Sequence, residues 1–448
     1  MQADLSKKDE QFREFSLNGP MWRVVLYVGF PLALYESLNQ LFKILDTMMA
    51  SHIGASAVSA VAYLSQINMM ISAVGTGLAV GASIKVSQAY GAGDFMLVKK
   101  RVSTMFAMCG ALGIAILLVL VPFTPEFLRL MNTPEEFIAD GSTYFRLELF
   151  GMVITFFNNV YIAIERARGN SKRILILNTA VIVVKLGLTA WFVYGLGGGI
   201  NMISCATIIS QSFLLLAACI NMNQKGNAFG FSLRAISIKK EVICPMLTLS
   251  FPVIVERIAF AVGKVIVNSM STVYGSWTVG ALGISNNIGG ITTNPQNGFQ
   301  EGGSSIISQN LGAGRPKRAL LAFRWVIYID MLIGLVIMTA SLLCLNQLAG
   351  LFAGDNAEFA EMIKQIYRFE AVGAIPLGVN AAVMALLYGF GKTRVTLVMN
   401  FCRVFLFRVP VLWALQQFTD LGNVSAGIVM AVSNVASGVL AAVVGVIE

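Results

Sequence analysis

Glu36, Asn39, Lys43 and Asp46 follow one another at intervals of three, four and three residues in an otherwise largely apolar stretch, so they share one face of a helix. Two carboxylates with an ammonium between them can bind and release a cation or a proton. Alternatively, Lys43 and Asp46 neutralise each other and only hold helices together. Ionisable groups inside an apolar helix default to function, and we read the stripe as the wall of a wet cavity. A second set comprises Glu256, Arg257, Lys264, Asn268 and Ser271, of which all but Glu256 fall near one face. A third lies in "SNNIGGITTNPQNGFQEGG", Ser285 to Gly303, which contains Asn286, Asn287, Pro295 and Gln296. Lys185 stands among Val181, Ile182, Val183, Val184 and Leu186. Asp330, Glu370, Arg403 and Arg408 are further candidates, although Glu370 with Arg368 repeats Glu148 with Arg146 and reads better as a structural pair.

The elements that carry these groups must be membrane helices. Of 448 residues 56% are apolar and only 12% are charged, where soluble domains carry roughly twice that charge. Leu186–Gln224 and Val265–Gln300 contain no Asp, Glu, Lys or Arg, and about 20 apolar residues suffice to cross a bilayer. Twelve spans are expected, at 22–50, 57–84, 102–124, 143–165, 173–195, 199–222, 244–272, 278–308, 319–349, 362–388, 394–417 and 421–447.

The net charge of +9 is placed in alternate loops: Lys99, Lys100 and Arg101; Arg166, Arg168, Lys172 and Arg173; Lys225, Arg234, Lys239 and Lys240; Arg315, Lys317 and Arg318; Lys392 and Arg394. That pattern marks a cytoplasmic face, not a nucleic-acid surface, and puts both termini inside. His52 is the one histidine, so a His-based zinc site or a Ser-His-Asp triad is hard to build. The six cysteines read as small packing residues. No enzyme, cofactor or metal is expected.

The chain repeats itself. "SQAYGAG" at Ser87 recurs as "SQNLGAG" at Ser308, and at the same offset Phe30-Pro31 meets Phe251-Pro252 and Gly77 with Gly81 meets Gly298 with Gly302. Each half holds six spans, so the halves are parallel repeats, one established transporter plan. The expected division is a tail at 1–21, an N-lobe at 22–224, a linker at 225–243 and a C-lobe at 244–448. Each motif reads as a helix end, stopped by Gly before a basic loop. The Gly-xxx-Gly spacings predict close helix approach in spans 2 and 8.

These pieces together, with "DTMMASHIGASAVSAV" from Asp46, "ARGNSKR" from Ala167 and "YGFGKTR" from Tyr388, resemble the MATE family, multidrug and toxic compound extrusion. The resemblance covers the whole chain. It implies twelve helices in two pseudo-symmetric six-helix bundles, and export of organic molecules against proton or sodium entry. Asp46 lies fifteen residues after Pro31, where the family has its first-helix coupling carboxylate. The family's helix 5 partners, an Asn and an Asp, fall at Lys185 and Thr189. The NorM-like helix 7 glutamate falls at Phe260, with Glu256 one turn early, and its helix 10 aspartate near Leu377. The DinF-like branch, which lacks those acids, is closer.

Lys185 beside Asp46 would stand where a metal cation binds, which disfavours sodium and leaves protons as the coupling ion. The expected ion-coupling set is Asp46, Lys185 and Thr189. The expected substrate-cavity set is Glu36, Asn39, Lys43, Glu256, Arg257, Lys264, Asn286, Asn287 and Gln296. A monomeric exporter in the plasma membrane, carrying organic cations or zwitterions, is the first reading. A flippase or exporter of an anionic substrate is the second, because the cavity charges are mixed.

Overall fold

A computed structural model describes residues 5–50, 55–131, 133, 135–224, 227–354 and 356–447. Among the described residues there is helix and no strand. In chain order the helices are α1 (Lys7–Asn18), α2 (Met21–Ala50), α3 (Ala55–Ala92), α4 (Phe95–Leu120), α5 (Thr124–Leu130), α6 (Glu135–Ala167), α7 (Ser171–Ala190) and α8 (Ile200–Met222). They continue with α9 (Lys240–Ser271), α10 (Ser276–Gly312), α11 (Pro316–Leu343), α12 (Leu345–Ala353), α13 (Ala357–Ala371), α14 (Ala374–Phe390), α15 (Thr393–Phe401), α16 (Val409–Phe418) and α17 (Val424–Ile447).

Every expected span falls on helix. Nine described helices are long and apolar enough to cross a membrane, or ten if the bent pair α13–α14 is one span. The remaining expected spans are α2 and α10, 30 and 37 residues long, which carry the polar stripes. The tenth span differs from expectation: it bends by 49° between α13 and α14. There Gly373 sits so close to Asn434 that a Cβ would lie 2.4 Å from the Asn434 Cβ.

Two compact units form. The first comprises Met1–Phe15 and Leu41–Ile254, the second Ser16–Gln40 and Val255–Glu448. Both α2 and α9 are therefore divided, the first half of each belonging with the other repeat. The Gly-xxx-Gly pairs show why. Within the first unit, a Cβ on Gly81 would lie 2.3 Å from the Ser250 Cα, and one on Gly77 2.8 Å from the Ile254 Cα. Within the second, a Cβ on Gly298 would lie 2.4 Å from the Ala33 backbone nitrogen, and one on Gly302 3.3 Å from the Gly29 Cα. Each pair removes side chains so that a partner backbone can lie directly against the helix. Inside the second unit α14 is buried along most of its length. Its small residues admit neighbours closely, Gly378 against the Asp330 carbonyl and Gly389 against Ile307.

Both seven-residue motifs end helices by the same device. Asp94 N–H donates to the Ala89 carbonyl at 3.1 Å and Arg315 N–H to the Asn310 carbonyl at 2.8 Å, with Gly93 and Gly314 at φ +81° and +70°. The N-terminal segment is divided between the units, and each part binds the helix end of its own unit. In the first unit Arg13 donates to the Tyr90 and Gly91 carbonyls at 3.0 and 2.9 Å, and the Tyr90 hydroxyl donates to the Asp9 carbonyl. In the second, Ser16 donates to Gln309 at 2.8 Å and Arg315 to the Leu17 carbonyl at 2.7 Å.

Arg168 anchors α1. Its guanidinium meets Asp9 at 3.0 Å and Glu165 at 3.1 Å and lies 5.4 Å from the Phe229 ring centroid. Burial pulls its pKa down, but Glu165 and Asp9 more than offset this, and it lies above the ordinary guanidinium value. Arg168→Ala takes the guanidinium from buried Asp9, which keeps only the Ser6 hydroxyl at 2.6 Å among the described residues. It leaves Glu165 to Arg173 at 3.5 Å and Asn170 at 2.7 Å. The change is expected to destabilise the protein by about 3 kcal/mol. A melting curve in detergent checks this; a melting temperature within one degree or so of wild type would refute it.

Candidate functional site

The division of α2 between Gln40 and Leu41 separates the residues of its polar stripe. Glu36 and Asn39 belong to the second unit, together with Glu256, Arg257, Lys264, Asn286, Asn287 and Gln296. Asp46 and Lys43 belong to the first unit, with Lys185 and Thr189. The side chains of Asp46 and Lys43 lie outside the described residues, so the expected Asp46–Lys185 pairing is not described. Lys185 is half-buried on α7. One turn on, Thr189 is fully buried, and its hydroxyl has no hydrogen-bond partner among the described residues.

The best-defined chemistry in the second unit is at Glu256. The carboxylate is 6% exposed and accepts three hydrogen bonds: from the Tyr388 hydroxyl at 2.8 Å, the Thr396 hydroxyl at 2.7 Å and the Asn400 amide at 2.7 Å. Pro252 lies one turn earlier on α9, Tyr388 near the end of α14, and Thr396 and Asn400 one turn apart on α15. Three converging donors satisfy a buried carboxylate that an apolar bundle would otherwise exclude. Tyr388, Thr396 and Asn400 were absent from the expected site. The Thr396–Asn400 spacing of four is the one local signal that they share a face.

Gln40 is a second residue missed. Its amide donates to Asn287 at 3.3 Å and its carbonyl oxygen accepts from Asn294 at 3.2 Å, joining α2 to α10 within the second unit. Gln40 lies four residues beyond Glu36, so the same helical spacing that selected Glu36 and Asn39 pointed to it. Gln296, expected as a cavity residue, is 1% exposed. Its amide donates to the Asp330 and Ala374 carbonyls, each at 3.0 Å, and so braces α10 against α11 and α14.

Asn286 and Arg257 are half-buried, and the Arg257 Nε has no hydrogen-bond partner among the described residues. Asn39 and Lys264 are exposed, and Glu36 is half-buried. Asp330 is fully buried, with neither carboxylate oxygen hydrogen-bonded among the described residues. The expected Glu370–Arg368 pair is replaced by other partners. Arg368 is exposed, while Glu370 accepts from Ser285 and lies within electrostatic range of Arg408, Lys264 and Arg403.

Comparison with known proteins agrees with this architecture. The sequence model of the MatE family matches residues 31–191 and 252–414, one stretch in each repeat. The chain is 24% identical over 409 residues to the probable multidrug resistance protein YoeA of Bacillus subtilis, covering 90% of this chain and 88% of that one. It is 22% identical over 433 residues to the multidrug export protein MepA of Staphylococcus aureus, covering 95% and 94%. A multidrug resistance MATE family transporter solved in an outward-facing conformation matches with TM-score 0.92 at 21% identity, over 99% of this chain and 98% of that one. A superfamily transporter from Pyrococcus furiosus, described as having a binding pocket of reverse polarity, matches with TM-score 0.92 at 20% identity over the same shares. With both repeats matched, buried ionisable groups inside membrane-spanning helices and a shared fold, this chain belongs to the MatE family of multi-pass membrane transporters.

Proposed function

We propose that the chain is a secondary exporter of amphipathic organic compounds, coupled to proton entry and working by alternating access of two lobes in the plasma membrane as a monomer, both termini cytoplasmic. The observation that carries this reading is that two relatives named for multidrug export or resistance align with 90% and 95% of the chain. Their bacterial origin supports the plasma membrane as its place.

Asp46 serves as the coupling acid, with Lys185 as a built-in cation beside it and Thr189 as a neighbouring hydroxyl. In the second unit the substrate path is lined by Glu36, Asn39, Arg257, Lys264, Asn286 and Asn287, and in the first unit by Lys43. Glu256 and Gln296 stand behind it, holding the helices that carry those residues.

The test is uptake of a fluorescent dye into proteoliposomes under separate proton and sodium gradients. Proton-driven uptake is expected in the wild type, with a loss of about tenfold or more in Asp46→Asn. Equal uptake in Asp46→Asn would remove the coupling assignment. Uptake driven by sodium alone would remove the built-in-cation role of Lys185. A second reading, an anionic cargo, is favoured by one cluster of cations in the second unit.

A further inference from the structure

Phe260 on α9 is surrounded by positive charge. The Arg403 guanidinium lies 5.6 Å from its ring centroid, the Lys264 ammonium 5.9 Å and the Arg408 guanidinium 6.0 Å. A local break in α-helical geometry brings the two arginines together. Residues Cys402–Leu406, between α15 and α16, form a π-helical turn in which the Phe407 N–H donates to the Cys402 carbonyl at 2.9 Å. Five residues along an α-helix, side chains point to different sides. Where the hydrogen bond runs from i to i+5 they come nearly into line, and such turns recur at functional sites.

The two guanidiniums are poorly satisfied among the described residues. Arg403 donates to the Asn434 side-chain oxygen at 3.0 Å, and Arg408 donates to that same oxygen at 3.3 Å and to the Ser433 hydroxyl at 3.0 Å. Two guanidiniums therefore share one neutral amide oxygen. The Arg403 Nε is buried with no acceptor among the described residues, and Arg408 is only 4% exposed. Neither makes a salt bridge among the described residues. Glu370 is the described carboxylate within electrostatic range of both, and one of its oxygens is taken by Ser285. A guanidinium offers five donors, and two buried guanidiniums that share one carboxylate in range without touching it are incompletely neutralised, which is expensive. A purely structural tie would place a carboxylate where Asn434 stands. The arrangement instead leaves donors and positive charge available, next to an aromatic face and to the exposed Lys264.

We propose that Phe260, Arg403 and Arg408, positioned by Asn434, bind the anionic group of an amphipathic organic substrate. A carboxylate, sulfonate or phosphate is held by the guanidiniums while a flat apolar body stacks on Phe260. The cargo is thus a zwitterion or an organic anion. This rests on the export reading for its biological meaning, but binding can be measured without transport.

The full-length protein in phosphatidylcholine nanodiscs is titrated against two dyes sharing a ring system, anionic sulforhodamine B and cationic rhodamine 6G, and followed by fluorescence anisotropy. Empty nanodiscs give the background. Arg403→Gln, at the half-buried position, is expected to weaken sulforhodamine B by about tenfold or more while leaving rhodamine 6G unchanged or tighter. Arg403→Lys, which keeps the charge, is expected to retain most of the affinity. Arg408→Gln repeats the test where that variant remains monodisperse.

Equal sulforhodamine B affinity in wild type and Arg403→Gln would overturn the proposal. So would rhodamine 6G binding by a wild type that does not bind the anionic dye. Adding phosphatidylglycerol separates two sources of the same chemistry. Competition that disappears in Arg403→Gln would assign the site to an anionic lipid headgroup, and its absence to a free organic anion. Arg403-dependent binding without gradient-driven uptake of either dye would sink the export reading alone. Uptake of rhodamine 6G with no arginine dependence for sulforhodamine B would sink the anion site alone.

Discussion

Replacing Gly298 with valine is expected to prevent the second unit from assembling. Even the first added carbon would sit 2.4 Å from the Ala33 nitrogen and 2.5 Å from its Cα, both backbone atoms that cannot rotate away. Relief requires moving the first half of α2, which carries Glu36 and Asn39. Overpacking of a tight core costs about 1–3 kcal/mol and sometimes more, and a clash with backbone belongs at the upper end. The repeat mate, Gly81→Val, meets the Ser250 backbone at 2.3 Å and is expected to do the same in the first unit. Gly283→Ala is the control, because a Cβ there meets nothing within 4 Å. Fluorescence-detected size exclusion after mild extraction reads the monodisperse fraction of each. A monodisperse Gly298→Val protein melting like wild type would show that the close approach of α2 and α10 is not required.

The second large effect is expected at Glu256. In Glu256→Ala the buried hydroxyls of Tyr388 and Thr396 and the half-buried Asn400 amide lose the carboxylate at once. Among the described residues only Thr396 has a second acceptor, the Thr393 carbonyl at 2.9 Å. An unsatisfied buried donor costs about 1–3 kcal/mol, so a total on the order of 3 kcal/mol or more is expected even after partial re-pairing. Glu256→Gln preserves volume yet turns an amide N–H toward donors that need an acceptor, and is expected to recover only part of the loss. Tyr388→Phe removes one donor from a carboxylate that keeps two others, and is expected to cost about 1.5 kcal/mol. The ordering of melting temperatures is the measurement: wild type, then Tyr388→Phe, then Glu256→Gln, then Glu256→Ala. If Glu256→Ala melts with wild type, the cage contributes nothing to stability and Glu256 is free to be read as a cargo contact.

The family and the fold were legible in the chain because both depend on signals that are local or repeated. Apolar run length gives the spans, and an offset of similar motifs gives the duplication. The glycine stops at Gly93 and Gly314 were readable for the same reason, since a helix end depends on the few residues that form it. The Gly-xxx-Gly pairs announced close approach but could not name what approaches. Nothing in residues 77–81 points to Ser250 and Ile254, and nothing in 298–302 to Gly29 and Ala33.

The site was legible only as a set of residue types. The polar stripe of α2 obeys one helical periodicity, yet its two halves belong to different units, because membership follows contacts and not spacing. Glu256 was selected as an ionisable group in a span. Its three donors lie 132 to 144 positions away, brought together by the packing of α9, α14 and α15. Arg403 and Arg408 stood out singly as intramembrane charges. Regular helical geometry would have turned them apart, and the π turn that aligns them over Phe260 has no signature in the residues that form it. Composition and period thus specify which segments enter the membrane and which polar residues enter with them. Which of those residues meet depends on the side-chain packing of helices remote in sequence, an interaction that no local pattern records.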